Sequence, residues 1–399
     1  MLRDGWVEVT TFADKSNRGS RSGRIAAVGR GNGPHDGEEV DLGSVALLPG
    51  LVNAHTHLEL SYLRDEIPPA AEFVTWIRGV IAARRQSPDP RSPDIVEGVA
   101  RGIDEALACG TALVGDITNT LATFAALFDS DLAAVVFYEL LRFNADDGDE
   151  VVADAMKRIR ALPAHGAVRA SLAAHAPYSV APSIFRAMRR VMDDDRSLAP
   201  CSVHLSESAA EVEFIATGGG PWRGLLEDVG AWDPTWTAPG VSPVQYLDEQ
   251  GLIDPRVLVV HGVQMTRGDL ARVAERGATL VTCPRSNGHT GAGAPPLDDF
   301  YASGVRVAVG TDSLASTPDL NVFAELATMR ALAPSVPARM LLDSATRQGA
   351  VALGWGEDFG TLEPGRRARL LAVTVPPSVD DVEEYLVSGI TSDQMTWIS

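Results

Sequence analysis

The run Leu48-Pro49-Gly50-Leu51-Val52-Asn53-Ala54-His55-Thr56-His57 carries two histidines two residues apart. On a strand, positions i and i+2 face the same side. Both imidazoles can then reach one ion, and neutral imidazole is an ordinary ligand for zinc or iron. A pair at this spacing is common by itself. It gains weight from three later apolar runs that end in a ligand-type residue: Ser202-Val203-His204, Val257-Leu258-Val259-Val260-His261 and Val307-Ala308-Val309-Gly310-Thr311-Asp312. Imidazoles and a carboxylate around one ion, with a position left for water, make a catalytic rather than a closed structural site. Glu207 follows His204 by three residues and adds a carboxyl able to move protons.

Each residue has a plainer reading when taken alone. A histidine at a strand end is often a satisfied core residue. Thr311-Asp312-Ser313 has the composition of a helix N-cap. Glu207 suits the first turn of a helix, where the macrodipole favours a negative charge. The recurrence of the right residue type at four strand ends outweighs these readings.

The elements that must position these groups follow from the pattern of apolar runs. Strands are expected near 50–55, 111–116, 133–139, 168–175, 200–204, 256–261, 278–283 and 304–311. Amphipathic segments alternate with them, as at 97–109, 151–162, 182–192 and 267–276, and Gly110, Gly277 and Gly304 stand at expected helix-to-strand turns. Eight such strands predict a closed (β/α)8 barrel, whose functional groups gather at the C-terminal strand ends. An open doubly wound sheet would be expected to show a glycine-rich loop after an early strand. Gly218-Gly219-Gly220 instead follows a helical segment and begins a Trp-rich stretch, 217–242, expected to be an inserted loop or lid. The flanks read as short strands, Trp6–Thr11, Arg24–Val28 and Ala368–Val373. The expected organisation is a barrel over 50–356 beside a small composite β-sandwich built from 1–49 and 357–399.

Composition narrows the function classes. The chain has 399 residues and a net charge of −19, which argues against nucleic acid as a partner. No apolar run reaches the length of a membrane span. The first residues, Met1-Leu2-Arg3-Asp4-Gly5-Trp6, hold no signal-type apolar core, and the three cysteines are far apart. A cytoplasmic location is expected.

The ordered set His55-x-His57, His204, His261 and Asp312 resembles the amidohydrolase superfamily. It looks most like the mononuclear branch that holds cytosine-, guanine- and adenosine-type deaminases and triazine chlorohydrolases. The run 49–57, His204-Leu205-Ser206-Glu207 and Gly310-Thr311-Asp312-Ser313 match its motifs, and the likeness covers essentially the whole chain. The resemblance implies that His55, His57, His204 and Asp312 bind one divalent metal ion, zinc before iron. It implies that Glu207 is the proton shuttle and that His261 holds the attacking water or the developing oxyanion. The binuclear branch bridges two metals with a carboxylated lysine on a middle strand. This chain has only Lys15 and Lys157, and 168–175 contains neither, so a single ion is expected. A bound divalent ion can bring water's pKa to about 7. The resulting hydroxide would attack a ring carbon bearing an amino group, which makes the chain a hydrolase of carbon–nitrogen bonds.

The substrate is written less sharply. Ala174-His175-Ala176-Pro177-Tyr178 resembles a segment of deaminases acting on adenine nucleosides, where the histidine meets substrate. The plain reading is a packed turn. Arg285 and Asn287, at the end of the seventh strand, could meet a carboxylate and a ring or hydroxyl; alternatively they are a solvated Arg and a turn Asn. His57-Leu58-Glu59-Leu60-Ser61, followed by Phe73 and Trp76, is similar to aminodeoxyfutalosine deaminases, so Glu59 and Trp76 join the candidate substrate contacts. Phe73 and Trp76 also fit one helix's core face. The expected partner is a small heteroaromatic molecule, and a homodimer is possible. The rival chemistry is dechlorination, N-dealkylation or cyclic-amide hydrolysis by the same site. The rival outside enzymes is an inactive metal-binding scaffold.

Overall fold

Among the described residues thirteen strands organise the chain: β1 Gly5–Ala13, β2 Arg21–Arg30, β3 Val45–Pro49, β4 Leu51–Thr56, β5 Thr111–Thr118, β6 Ala133–Leu140, β7 Val168–Ala174, β8 Cys201–Leu205, β9 Val257–His261, β10 Thr279–Thr282, β11 Arg306–Val309, β12 Leu370–Thr374 and β13 Met395–Ile398. The computed structural model describes residues 4–13, 21–33, 37–163, 166–196 and 198–398. Strands β4 to β11 form one sheet in chain order with every neighbouring pair parallel. A parallel bridge between Thr56 and Asp312 joins its two edges. Helices fill the connections, so the sheet closes as the (β/α)8 barrel expected from the sequence.

Burial on both faces explains why these strands read as short apolar runs. Val259, Val260, Leu280, Val281 and Val309 are all fully buried. The helices bury one stripe each. Helix Pro93–Ala108 has Pro in its first turn and buries Ile95, Val99 and Ile103, four residues apart on one face. Helix Arg267–Arg276 opens on a capping box, Thr266 with Asp269, and ends on Gly277 in the left-handed conformation at φ 73°.

The ends of the chain meet beside the barrel. Strand β12 pairs antiparallel with both β3 and β13, while β1 and β2 form their own antiparallel pair. An Arg24–Arg367 bridge ties that pair to the C-terminal region. Strand β3 leads through Gly50 directly into β4, which fixes the entry of the strand that carries His55.

The stretch 217–242 differs from the expected loop. Gly218, at φ 72°, ends helix Ala209–Thr217, and Gly219 with Pro221 starts a second helix, Gly220–Asp228. The glycine run is therefore a joint between two helices. Trp222 is buried and stacks on Tyr178 with ring centroids 3.6 Å apart, and Trp232 and Trp236 pack on Phe143 and Phe214. Among the described residues no helix is long and apolar enough to cross a membrane.

Candidate metal centre

His55 lies on β4 and His57 just beyond it, at the start of a 3-10 turn, Leu58–Leu63. Across the barrel mouth β8 supplies His204, β9 supplies His261, and the residues after β11 supply Asp312. Asp312 is held at the closing seam. Its N–H donates to the His55 carbonyl at 3.0 Å, and its own carbonyl accepts from Thr56 Oγ1 at 3.0 Å. Asn53 reinforces the seam by donating to Thr311 Oγ1 at 2.7 Å and accepting from the Thr311 N–H at 3.0 Å. Asp312 and His261 both adopt left-handed backbone, at φ 62° and 77°. Such conformations are costly for non-glycine residues and cluster where function over-determines the chain.

The donor atoms converge. His55 Nε2 lies 3.2 Å from His57 Nε2 and 3.3 Å from His204 Nε2, and Asp312 Oδ1 lies 3.4 Å from His57 Nε2 and 3.7 Å from His55 Nε2. Two ligands about 2.0–2.1 Å from a tetrahedral ion must themselves stand about 3.3 Å apart. The observed separations match that requirement, so the donor set fits a divalent ion.

Charge state fits as well. Burial lowers His57 to about 3 against the pull of Asp312, and burial with the neighbouring imidazoles takes His204 well below its usual range. Both rings are therefore neutral, the form that binds metal. For Asp312, burial alone would raise the pKa, but the His55 hydrogen bond and the electrostatic pull of the surrounding imidazoles hold it well below the usual carboxylate range. Ser286 Oγ donates to Asp312 Oδ2 at 2.5 Å, and the Ser313 N–H donates to Oδ1 at 2.8 Å. Lys157 lies on helix Gly148–Arg160, away from any strand end, and Lys15 lies outside the described residues.

Glu207 and His261 form the second half of the site. Glu207 Oε1 stands 3.5 Å from His261 Nε2, and both side chains are buried. Burial raises Glu207 well above the usual carboxyl range, helped by the charges of Asp312 and Glu211, which favours its protonated form. Burial pushes His261 down to about 4. Its Nδ1–H donates to Asn287 Oδ1 at 3.0 Å, which leaves Nε2 as the bare nitrogen facing Glu207. A buried carboxyl whose protonated form is favoured, a bare imidazole nitrogen and a carboxylate thus stand about the position where the donors converge.

The residues expected to touch substrate fall in different places. His175 packs edge-on against His204 at 5.2 Å and bonds Ser179 Oγ through Nδ1 at 2.5 Å. Asn287 meets His261, as above. Glu59 is buried and accepts from Thr118 Oγ1, from Thr120 N and Oγ1, and from Arg84 Nη2. Trp76 is buried on helix Phe73–Gln86 and lines a cavity of about 360 Å³ with Ile67, Pro68, Glu72 and Thr75. Arg285 is engaged throughout: its guanidinium donates to Glu325 Oε1 at 2.6 Å, to Asp319 Oδ1 at 2.8 Å and to the Asp319 carbonyl at 2.9 Å.

Sequence reasoning missed the polar chain behind His204. Arg84 Nη1 donates to Asn119 Oδ1 at 2.6 Å, and Asn119 Nδ2 donates to Glu139 Oε2 at 2.7 Å. Glu139 Oε1 lies 3.6 Å from His204 Nδ1, and burial raises Glu139 to about 7. Glu139 stands near the end of β6, so the strand-end rule that found the histidines would have found it too. Ser286 sat unremarked between Arg285 and Asn287.

Comparison with known proteins agrees with this geometry. Residues 46–393 match the model of the amidohydrolase family. An aminodeoxyfutalosine deaminase of Deinococcus radiodurans is 35% identical over 343 residues, 82% of this chain and 77% of that protein. A 5-methylthioadenosine/S-adenosylhomocysteine deaminase of Moorella thermoacetica is 30% identical over 367 residues, 87% of this chain and 78% of that protein. Among solved structures, an adenosine deaminase from Xanthomonas campestris with bound zinc superposes with a TM-score of 0.77 at 26% identity, covering 94% of this chain and 85% of that one.

Proposed function

The chain belongs to the amidohydrolase family, and from that premise we propose that it hydrolytically deaminates an adenine-type nucleoside, aminodeoxyfutalosine first among the candidates. Support for the substrate class comes from the two deaminase relatives, which are named for adenine nucleosides. The observation that carries the chemistry is the pair Glu207–His261, a buried carboxyl 3.5 Å from a bare imidazole nitrogen, set beside four convergent donors.

One ion, zinc, would be held by His55, His57, His204 and Asp312; when bound it supplies a Lewis acid that makes water a nucleophile near neutral pH. Glu207 gives its proton to the ring nitrogen next to the amino-bearing carbon, which makes that carbon electrophilic. Asp312 takes one proton from the attacking water, and the remaining hydroxyl joins the carbon. His261 Nε2 orients that oxygen. On collapse the carbon–nitrogen bond breaks. The proton on Asp312 leaves with the amino group as ammonia, and the hydroxyl proton returns to Glu207. The ring keeps a carbonyl, and every proton is accounted for.

The test is ammonia release by the zinc-loaded protein from a panel of amino-purine and amino-pyrimidine nucleosides and bases that includes aminodeoxyfutalosine and 5-methylthioadenosine. Release from an adenine nucleoside that vanishes in Glu207→Gln supports the reading. Silence across the panel with metal bound overturns it and turns attention to dechlorination or cyclic-amide hydrolysis.

A further inference from the structure

The proton shuttle sits on a turn that a second buried carboxyl grips from behind. Strand β8 ends at Leu205, and the chain must then turn sharply, with Ser206 in left-handed backbone at φ 52°. Helix Ala209–Thr217 begins three residues later, capped by Ser208, whose side chain accepts from the Glu211 N–H. Ser208-Ala209-Ala210-Glu211 therefore has the sequence of a capping box. In an ordinary box the glutamate side chain reaches back only to the N–H of the cap residue. Here Glu211 reaches further. Its Oε1 accepts from the Ser206 N–H at 2.8 Å and its Oε2 from the Glu207 N–H at 2.9 Å. The side chain is fully buried.

That reach has a geometric consequence. The Ser206 and Glu207 N–H groups point to one side, onto Glu211. The opposite edge of the same turn is fixed to the next strand end: the Gly262 N–H donates to the Leu205 carbonyl at 3.1 Å and the Gln264 N–H to the Ser206 carbonyl at 2.8 Å. The turn is thereby pinned on both sides, and Glu207 Oε1 on it stands 3.5 Å from His261 Nε2. A helix cap alone would require neither bond.

We propose that Glu211 is a positioning residue for the deamination, its two carboxyl oxygens clamping the backbone of Ser206 and Glu207 so that the Glu207 side chain is held against His261. The inference rests on Glu207 as the proton shuttle. A carboxyl offers two acceptor oxygens to two N–H groups, whereas a glutamine offers one acceptor and sets a competing donor against the other N–H.

Glu211→Gln and Glu211→Ala, each zinc-loaded and full length, provide the test; the glutamine variant preserves shape if the alanine variant folds poorly. In 15N-labelled protein the Ser206 and Glu207 amide protons are expected far downfield and protected in the wild type, and shifted upfield with faster exchange in both variants. In Glu211→Gln the expected kinetics are a kcat lower by about 100-fold, the size of effect produced by misplacing a reacting group by about 1 Å. KM should stay within about threefold, with zinc stoichiometry unchanged. A kcat within about twofold of wild type despite loosened amides overturns the proposal. So does a kcat loss that merely follows loss of zinc, which would make Glu211 a structural cap. If the wild type releases no ammonia from the panel, the deaminase reading falls, while the amide comparison still supports or overturns the clamp.

Discussion

A Cβ placed on Gly310 would lie 2.6 Å from the carbonyl oxygen of His55 and 2.8 Å from its backbone nitrogen. Both are backbone atoms, so no side-chain rotation relieves the contact. The seam where β11 meets β4 can close only over a glycine, and two proposed ligands, His55 and Asp312, flank that seam. Gly310→Ala is therefore expected to destabilise the protein by about 1–3 kcal/mol, the usual cost of overpacking, and to lower bound metal together with activity. Thermal unfolding and metal analysis check this. Wild-type values for both would mean that the seam widens without moving His55.

Removing the metal should separate binding from proton transfer. Chelator-treated protein is expected to lose ammonia release and to recover it on adding zinc, and His204→Ala should not recover. Because an ion that binds only the folded state stabilises it by mass action, about 4 kcal/mol at a thousandfold excess over Kd, the unfolding temperature should rise on zinc addition. Glu207→Gln should show the same zinc-dependent rise with no turnover, since Glu207 is not among the converging donors. If Glu207→Gln lost the rise, Glu207 would have to be counted as a ligand.

The strand ends were legible for a physical reason. Parallel strands buried on both faces read as short apolar runs, and a polar residue closing such a run, as His204 and His261 do, has nowhere to go but the barrel mouth. Glu139 stands near the end of β6 and was open to the same rule, but Asn119 and Arg84 were not, because a hydrogen-bonded chain between distant residues leaves no spacing in the sequence. Arg285 looked free for a carboxylate because its partner Glu325 lies 40 residues further along. The glycine run at 218–220 read as loop because three glycines favour neither helix that they join; the buried face of Trp222 decides the matter only in three dimensions.

Arg285 gives a test of structure against substrate contact. Glu325 is fully buried, and burial raises its pKa to about 7 against the pull of Arg285. Arg285→Met strands that carboxyl and is expected to cost about 3–5 kcal/mol in urea unfolding, the usual penalty for breaking a buried pair from one side. Replacing both partners, as Arg285→Met with Glu325→Leu, should restore most of the loss. KM for the deaminated nucleoside should stay near wild type in the double variant. A raised KM with little change in stability would instead put Arg285 on the substrate.

His175 predicts an acid-side loss of stability with a defined sign. Burial, helped by the charge of Arg84, lowers its pKa from 6.5 to about 4. The unfolded chain takes up a proton as pH falls through 6.5, whereas the folded protein refuses it until about pH 4. The contribution is therefore fully present above pH 6.5 and is lost progressively between 6.5 and 4. From pH 7 to pH 5 it amounts to about 2 kcal/mol. The comparison belongs in metal-free protein, because metal binding carries its own proton release. Urea unfolding of wild type and His175→Gln at pH 7 and pH 5 brings out the residue's share, since the buried histidines around it, His57, His204 and His261, are retained in both proteins. The wild type should lose about 2 kcal/mol more than the variant over that interval. Equal losses would mean that His175 accepts its proton in the folded state as readily as in the unfolded chain, and the polar surroundings of its ring, with Ser179 on Nδ1, would then outweigh its burial.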